Sequence, residues 1–171
     1  QISNILNIGG ISNITLTVKS SDLAKINIKA FDIGPGNCLI DEWIRKNSDN
    51  KFDNKGLIAK SGKINKLILN QAIENFNFIR YDKSLDIKDF DISFAKGLTL
   101  EDGCATITNF TAYLIAEGLK FAHKDDERSS IRYLTCGGGR KNSFLISSIK
   151  KYLSNYNNFI LDTIDQYDYD G

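Results

Sequence analysis

The stretch Phe31-Asp32-Ile33-Gly34-Pro35-Gly36-Asn37 marks the point where the chain turns from strands to helices, and it decides the fold. It holds the single proline of the chain between two glycines, a combination that stops a strand sharply. Upstream, residues 3–8 and 13–18 are short runs rich in Ile, Leu, Thr and Val, separated by the turn-forming Gly9-Gly10-Ile11-Ser12. That spacing predicts a β-hairpin. A third strand is expected over about residues 25–31, where Ile26, Ile28 and Ala30 alternate with Asn27 and Lys29. Downstream, residues 37–46 have helical spacing, with Leu39, Ile40, Trp43 and Ile44 on one face.

Further along, residues 47–55 are polar and turn-like, and a helix is expected over about residues 63–76. Residues 77–98 read as a loop with a short helix. Thr99 and Asp102 form a capping pair for a longer helix whose stripe includes Ile107, Phe110, Leu114, Ile115 and Leu119. Residues 131–136 are a compact strand ended by Gly137-Gly138-Gly139, a helix runs from Asn142 or Ser143 to Leu153, and residues 158–161 are a last short strand. Three consecutive strands followed by strands separated by helices imply an α/β fold: a mixed five-stranded sheet, a meander joined to right-handed parallel crossovers, with helices on both faces. This is the element order of the ribonuclease-H-like (actin-like ATPase) half-domain, a fold that carries many functions.

Composition narrows the classes. At 171 residues the chain fits one domain, and 42% hydrophobic with 25% charged residues is ordinary for a globular protein. Lys and Arg number 22 against 21 Asp and Glu, so no basic excess points to nucleic acid. Cys38, Cys104 and Cys136 form no C-x-x-C pair and read as buried reduced thiols, which favours a reducing, cytoplasmic compartment. No run approaches the roughly 20 apolar residues that span a membrane, so no membrane partner is expected. The chain contains no Met and opens directly on a strand, which reads as a piece of something longer.

Three glycine-centred sites carry the chemistry. Gly9 and Gly10, followed by Asn13, stand at a hairpin tip where backbone amides can approach an anion, although an ordinary tight turn would also use them. Asp32 leaves a strand end before Gly34-Pro35-Gly36 and a helix start, a place where parallel-type sheets bind ligands and where a helix amino terminus favours an anion; a turn-capping aspartate is the plainer alternative. Gly137-Gly138-Gly139 with Asn142 links a strand to a helix, suiting a phosphate or planar group against the backbone, or a simple turn. None of these is a spaced G-x-G-x-x-G or G-x-x-x-x-G-K-[ST] run. His123 reads as solvated or C-capping, Trp43 as core, and Asp162, Asp165, Asp168 and Asp170 as a polar tail without calcium-loop spacing. No metal site is expected from protein ligands.

Together the three blocks resemble those of the anhydro-N-acetylmuramic acid kinase family: N-I-G-G-I-x-N as Asn7 to Asn13, F-D-x-G-P-G-N-x-L-I-D-x-W as Phe31 to Trp43, and C-G-G-G-x-x-N as Cys136 to Asn142. Ala59-x-Ser61-Gly62-Lys63, Lys83-Ser84 and Ala105 to Thr108 with Thr111-Ala112 fit the same pattern. The resemblance implies ATP and Mg²⁺ as cofactors and an amino-sugar substrate, 1,6-anhydro-N-acetylmuramic acid, phosphorylated at its 6-position while water opens the anhydro bridge, in cell-wall recycling. It implies Asp32 as catalytic base, with Gly9, Gly10 and Asn13 on a phosphate-facing hairpin, Gly34 as a further cofactor-binding position, and Gly137, Gly138, Gly139 and Asn142 flanking adenosine. It also implies that residues 1–171 are a carboxy-terminal lobe with a helical insertion at about 47–98. The amino-terminal lobe, with its G-T-S-x-D-G loop, and the last helix are then missing partners, and the lone chain is expected to be inactive. An inert nucleotide-binding lobe from a split or decayed gene is the alternative, and a homodimer is one arrangement open to the full-length enzyme. Two positions depart from the pattern: Ile33 stands where the family usually has Thr, and Leu85-Asp86-Ile87-Lys88 where it often has T-G-R-E. A ribonuclease-H-like nuclease would need several carboxylates converging on two metals, and only Asp32 sits at a strand end.

Overall fold

A computed structural model describes residues 4–19, 26–76, 79–126, 130–156 and 159–167. The hairpin forms as its pattern requires: β1 (Asn4–Ile8) pairs antiparallel with β2 (Ile11–Lys19), which pairs antiparallel with β3 (Ile26–Pro35). β4 (Ile131–Cys136) and β5 (Phe159–Thr163) then add in parallel to the other side of β1, giving the order β3-β2-β1-β4-β5. The mixed five-stranded sheet is thus present. β3 runs four residues beyond its expected end, because a register shift at Ser12/Asn13 lets Asp32, Gly34 and Pro35 keep pairing with β2.

The helices are α1 (Cys38–Asn47), α2 (Leu57–Ser61), α3 (Lys66–Asn75), α4 (Leu100–Ala122) and α5 (Ser143–Leu153). α4 is the central one: its Gly103 admits the Trp43 ring of α1, and its Gly118 admits Ile33 of β3. Trp43 is core as expected, 4% exposed, with its indole N–H donating to the Leu100 carbonyl at 2.9 Å. Thr99 caps α4 by accepting from the Asp102 amide, while the Asp102 carboxylate turns away to accept from Lys63 N at 2.7 Å. α3 starts later than its apolar stripe suggests because Asn65 caps it, accepting from Ile68 N. The described residues 79–98 hold two 3-10 turns, Ile87–Asp89 and Ser93–Ala95, rather than an α-helix.

Helices were expected on both faces of the sheet; among the described residues they share one. β3–α4–β4 and β4–α5–β5 cross the sheet in the same direction, so right-handedness sends both crossovers over the same face. That face carries Leu6, Ile8, Ile14, Leu16, Ile131, Tyr133 and Leu161, all buried. The opposite face leaves Ile5 39% and Ile28 68% exposed.

His123 keeps the C-capping half of its sequence reading and departs from the solvated half. It stands at the C-cap position of α4, but its ring is buried, bonded through Nε2 to the Tyr133 hydroxyl at 2.7 Å and through Nδ1 to Asp126 at 2.8 Å. All three cysteines are free thiols; Cys38 and Cys104 are buried and Cys136 partly so. Asp162 and Asp165 pair with Arg132 and Arg140; Asp168 and Asp170 lie outside the described residues. No helix of the described residues is long and apolar enough to cross a membrane.

Candidate active site

β1, β3, β4 and β5 all run parallel to one another, so their carboxyl ends open on one edge of the sheet. Every glycine-centred site of the sequence sits on that edge: Gly9 and Gly10 after β1, Asp32 to Gly36 at the end of β3, and the triple glycine after β4. The register makes a row across it. Asp32 pairs with Asn13, Asn13 with Asn7, and Asn7 with Cys136. Residues paired this way point to the same face, which is the uncovered one, since Ile33 beside Asp32 is buried against α4. Ile33, one of the two departures noted in the sequence, therefore packs in the core and stays out of the cleft.

Asp32 lines an open cleft of about 670 Å³ with Asn13, Lys29, Tyr81, Lys83 and Ser84. Its Oδ2 accepts a hydrogen bond from the Leu85 amide at 2.9 Å. Oδ1 has no protein donor among the described residues. Burial pushes the Tyr81 hydroxyl up to about 12, so it remains a phenol, able to donate, across neutral pH.

The two remaining turns meet the first. The Gly9 carbonyl accepts from Asn37 N at 2.7 Å and the Gly10 carbonyl accepts from Gly36 N at 2.8 Å and Cys38 N at 3.2 Å. The hairpin tip thus takes up the amides of Gly36 and Asn37, which lead into α1, and of Cys38, its first residue. A Cβ at Gly36 would overlap the Gly9 carbonyl, so close backbone packing explains that glycine. Gly9 and Gly10 have no such reason. Neither has the positive φ that demands glycine, and a Cβ at either would meet nothing closer than 3.5 Å.

In the third turn, Gly137 has φ 76° and a Cβ there would overlap Asn7 and Ile8, while one at Gly139 would overlap the Ile8 side chain. Only Gly138 is exposed with open room, its nearest neighbour being Asn37 Nδ2 at 3.5 Å. Arg140 holds the turn, donating to the Gly137 carbonyl at 2.9 Å and making a two-pronged pair with Asp165 at 2.8 and 2.9 Å. Two of the expected site residues are buried in the fold. Gly34 is buried against Leu114 of α4, and Asn142 is buried as the cap of α5, accepting from Leu145 N at 2.9 Å. Asn7, Asn37, Tyr81, Leu85 and Arg140 are the neighbours that residue type alone did not single out as site residues. Among the described residues no group of three His, Cys, Asp or Glu side chains is placed to hold a metal ion.

The family model for anhydro-N-acetylmuramic acid kinase matches residues 1–171. The chain belongs to the anhydro-N-acetylmuramic acid kinase family. It is 47% identical over 169 residues to the anhydro-N-acetylmuramic acid kinase of Pelagibacter ubique, covering 98% of this chain and 44% of that one. With the enzyme of Methylobacterium nodulans it shares 36% over 150 residues, 87% of this chain and 38% of that one. The chain thus spans less than half the length of these curated relatives. Among solved structures, the activator of 2-hydroxyisocaproyl-CoA dehydratase from Clostridium difficile with bound ADPNP superposes at TM-score 0.51 and 12% identity, over 93% of this chain and 53% of that one. A hexokinase from Schistosoma mansoni complexed with glucose gives 0.51 and 10%, over 96% and 50%. These two likenesses establish the actin-like ATPase fold for this family member.

Proposed function

We propose that this chain is the carboxy-terminal lobe of a cytoplasmic enzyme that uses ATP to phosphorylate 1,6-anhydro-N-acetylmuramic acid while water opens its anhydro bridge, a step of cell-wall recycling. The observation that carries the reading is the meeting, on one sheet edge, of a half-free carboxylate at Asp32 with three glycines whose Cβ positions stand open, Gly9, Gly10 and Gly138. Open room at a glycine that the fold does not require suits a ligand lying against the backbone.

In this reading Asp32 takes a proton from the attacking water through Oδ1. The water oxygen bonds to the anomeric carbon, the bond from that carbon to the bridge oxygen breaks, and the freed oxygen takes the γ-phosphoryl group as the bond to ADP breaks. A free aspartate is a weak base, with pKa about 3.9, so Asp32 acts late, as the water becomes acidic. Its contribution is mainly position. Gly9 and Gly10 let phosphate approach the hairpin, Asn13 flanks the reacting centre, and Gly138 leaves space for the nucleoside. Mg²⁺ would arrive on the nucleotide phosphates and offset their charge.

An opposing lobe, with its own phosphate loop, would close the cleft and exclude water. The test is to incubate the chain with Mg²⁺, ATP and the anhydro-sugar, alone and complemented with the amino-terminal part of the Pelagibacter ubique relative, and to look for the 6-phosphate by mass spectrometry. Turnover only in the complemented mixture is expected. Robust multiple turnover by the chain alone would overturn the half-enzyme reading, and nucleotide binding without turnover in either would favour an inert lobe.

A further inference from the structure

We infer that Asp86 and Asp89 are positioning residues for Asp32, acting through the backbone amide of Leu85; this rests on the assignment of Asp32 as the base. Leu85 N donates to Asp32 Oδ2 across 53 residues of chain. The segment bearing that amide is anchored at both ends by rings. Tyr81 stacks on Phe121 of α4 at 4.3 Å and meets Phe31 edge-on at 6.1 Å, and Phe90 is buried and stacks on Phe76 at 6.0 Å. Between the anchors the chain is largely exposed, from Asp82 to Ser84 and from Asp86 to Asp89, and carries little that would hold one backbone amide in place.

Two carboxylates do hold it. Asp86 Oδ1 accepts from Lys88 N at 3.0 Å, and Asp89 Oδ2 accepts from Asp86 N at 2.7 Å. This is a reciprocal capping box closed over a single 3-10 turn. Neither carboxylate forms an ion pair among the described residues, so charge pairing does not account for them. The far side of the turn faces the hairpin: the end of the Ile87 side chain lies 4.0 Å from where a Cβ of Gly10 would stand. The box therefore fixes the residue next to Leu85 and, with it, the direction of the Leu85 N–H. With Oδ2 held by that amide, Oδ1 is the oxygen left to receive a proton. A carboxylate pinned at one oxygen keeps the other aimed, and misplacement of a reacting group by about 1 Å is enough to cost roughly a hundredfold in rate.

The test combines hydrogen exchange of the Leu85 amide in the 171-residue chain with turnover in the complemented enzyme. Asp86→Ala, Asp89→Ala and Asp32→Ala should each speed Leu85 exchange by about fivefold, the factor that goes with loss of one ordinary cap bond. Asp86→Ser, which keeps a cap oxygen, should restore it. In the complemented enzyme the two box variants should lower kcat roughly ten- to a hundredfold with KM for ATP unchanged. Asp91→Ala is the control. Asp91 makes a similar local bond just before the neighbouring 3-10 turn, accepting from Ser93 N at 2.9 Å and from Ser93 Oγ at 2.6 Å, and has no hydrogen bond to Leu85 or Asp32. It should leave both readouts at the wild-type level. Unchanged Leu85 exchange in the box variants overturns the inference, as does faster exchange with unchanged kcat, or an equal loss in Asp91→Ala. Failure of the kinase reading shows separately, as absence of turnover in the wild-type mixture; the exchange data then decide whether the box holds the amide on Asp32.

Discussion

Two clusters of glycines stand on one edge of the sheet, and they are glycines for different reasons. In the turn after β4, Gly137 and Gly139 are demanded from within: one by a positive φ and crowding from Asn7 and Ile8, the other by contact with the Ile8 side chain. In the β1–β2 hairpin, Gly9 and Gly10 have ordinary φ and open space. Gly138 belongs with the hairpin pair although it sits inside the other run. A string of glycines in a sequence does not separate packing from recognition; the room around each Cα does.

The comparison breaks most visibly in stability. Gly139→Val drives its Cβ into the Ile8 side chain and should cost about 3 kcal/mol or more in urea unfolding, as overpacking of a tight contact does. Gly10→Ala, into open space, should stay within about 1 kcal/mol of wild type. Equal losses would erase the distinction. Next comes ligand affinity. Gly138→Val should keep the thermal midpoint near wild type yet weaken adenine nucleotide at least about tenfold, with sugar affinity preserved. Calorimetry with both ligands checks it, and matched losses would point to misfolding instead.

The smallest effect belongs to the brace on the triple-glycine turn. The hydrogen bond from Arg140 holds the exposed Asp165 carboxyl below the usual carboxylate range. A depressed folded-state pKa means that the pair contributes at neutral pH and its contribution fades as pH falls through that lowered value. Being fully exposed, it is screened and contributes little. Asp165→Asn should therefore weaken nucleotide binding by about twofold and slightly flatten the acid-side fall in thermal midpoint. Identical pH profiles for the two proteins would remove the brace from the account.

Much of this was legible in the chain. β4 and α5 end where Gly137 and Leu153 suggested, because strong local stop signals and tertiary packing agree there. Asp32 and the three turns were found from residue type and spacing. What escaped depends on distant partners. β3 extends to Pro35 only because β2 accommodates a register shift, and α2, five residues long, is fixed by the buried Asp53 carboxylate accepting from Ile58 N and Ala59 N. His123 is drawn inside by Tyr133 of β4. The motif also cannot reveal that α4 packs against Gly34 or that Asn142 caps α5. The Leu85 amide carries no side-chain signature at all, so nothing in the letters places it on Asp32.

The central claim is that Asp32 is the base and not simply a residue of the nucleotide cradle. Asp32→Asn keeps the size and the Leu85 acceptor but loses the basic oxygen. The decisive measurement is steady-state turnover with nucleotide titration of this variant in the complemented enzyme. The account expects turnover to fall by far more than tenfold while ATP affinity stays within about twofold of wild type. Retention of more than about a tenth of kcat, a barrier change under about 1.4 kcal/mol, would contradict it.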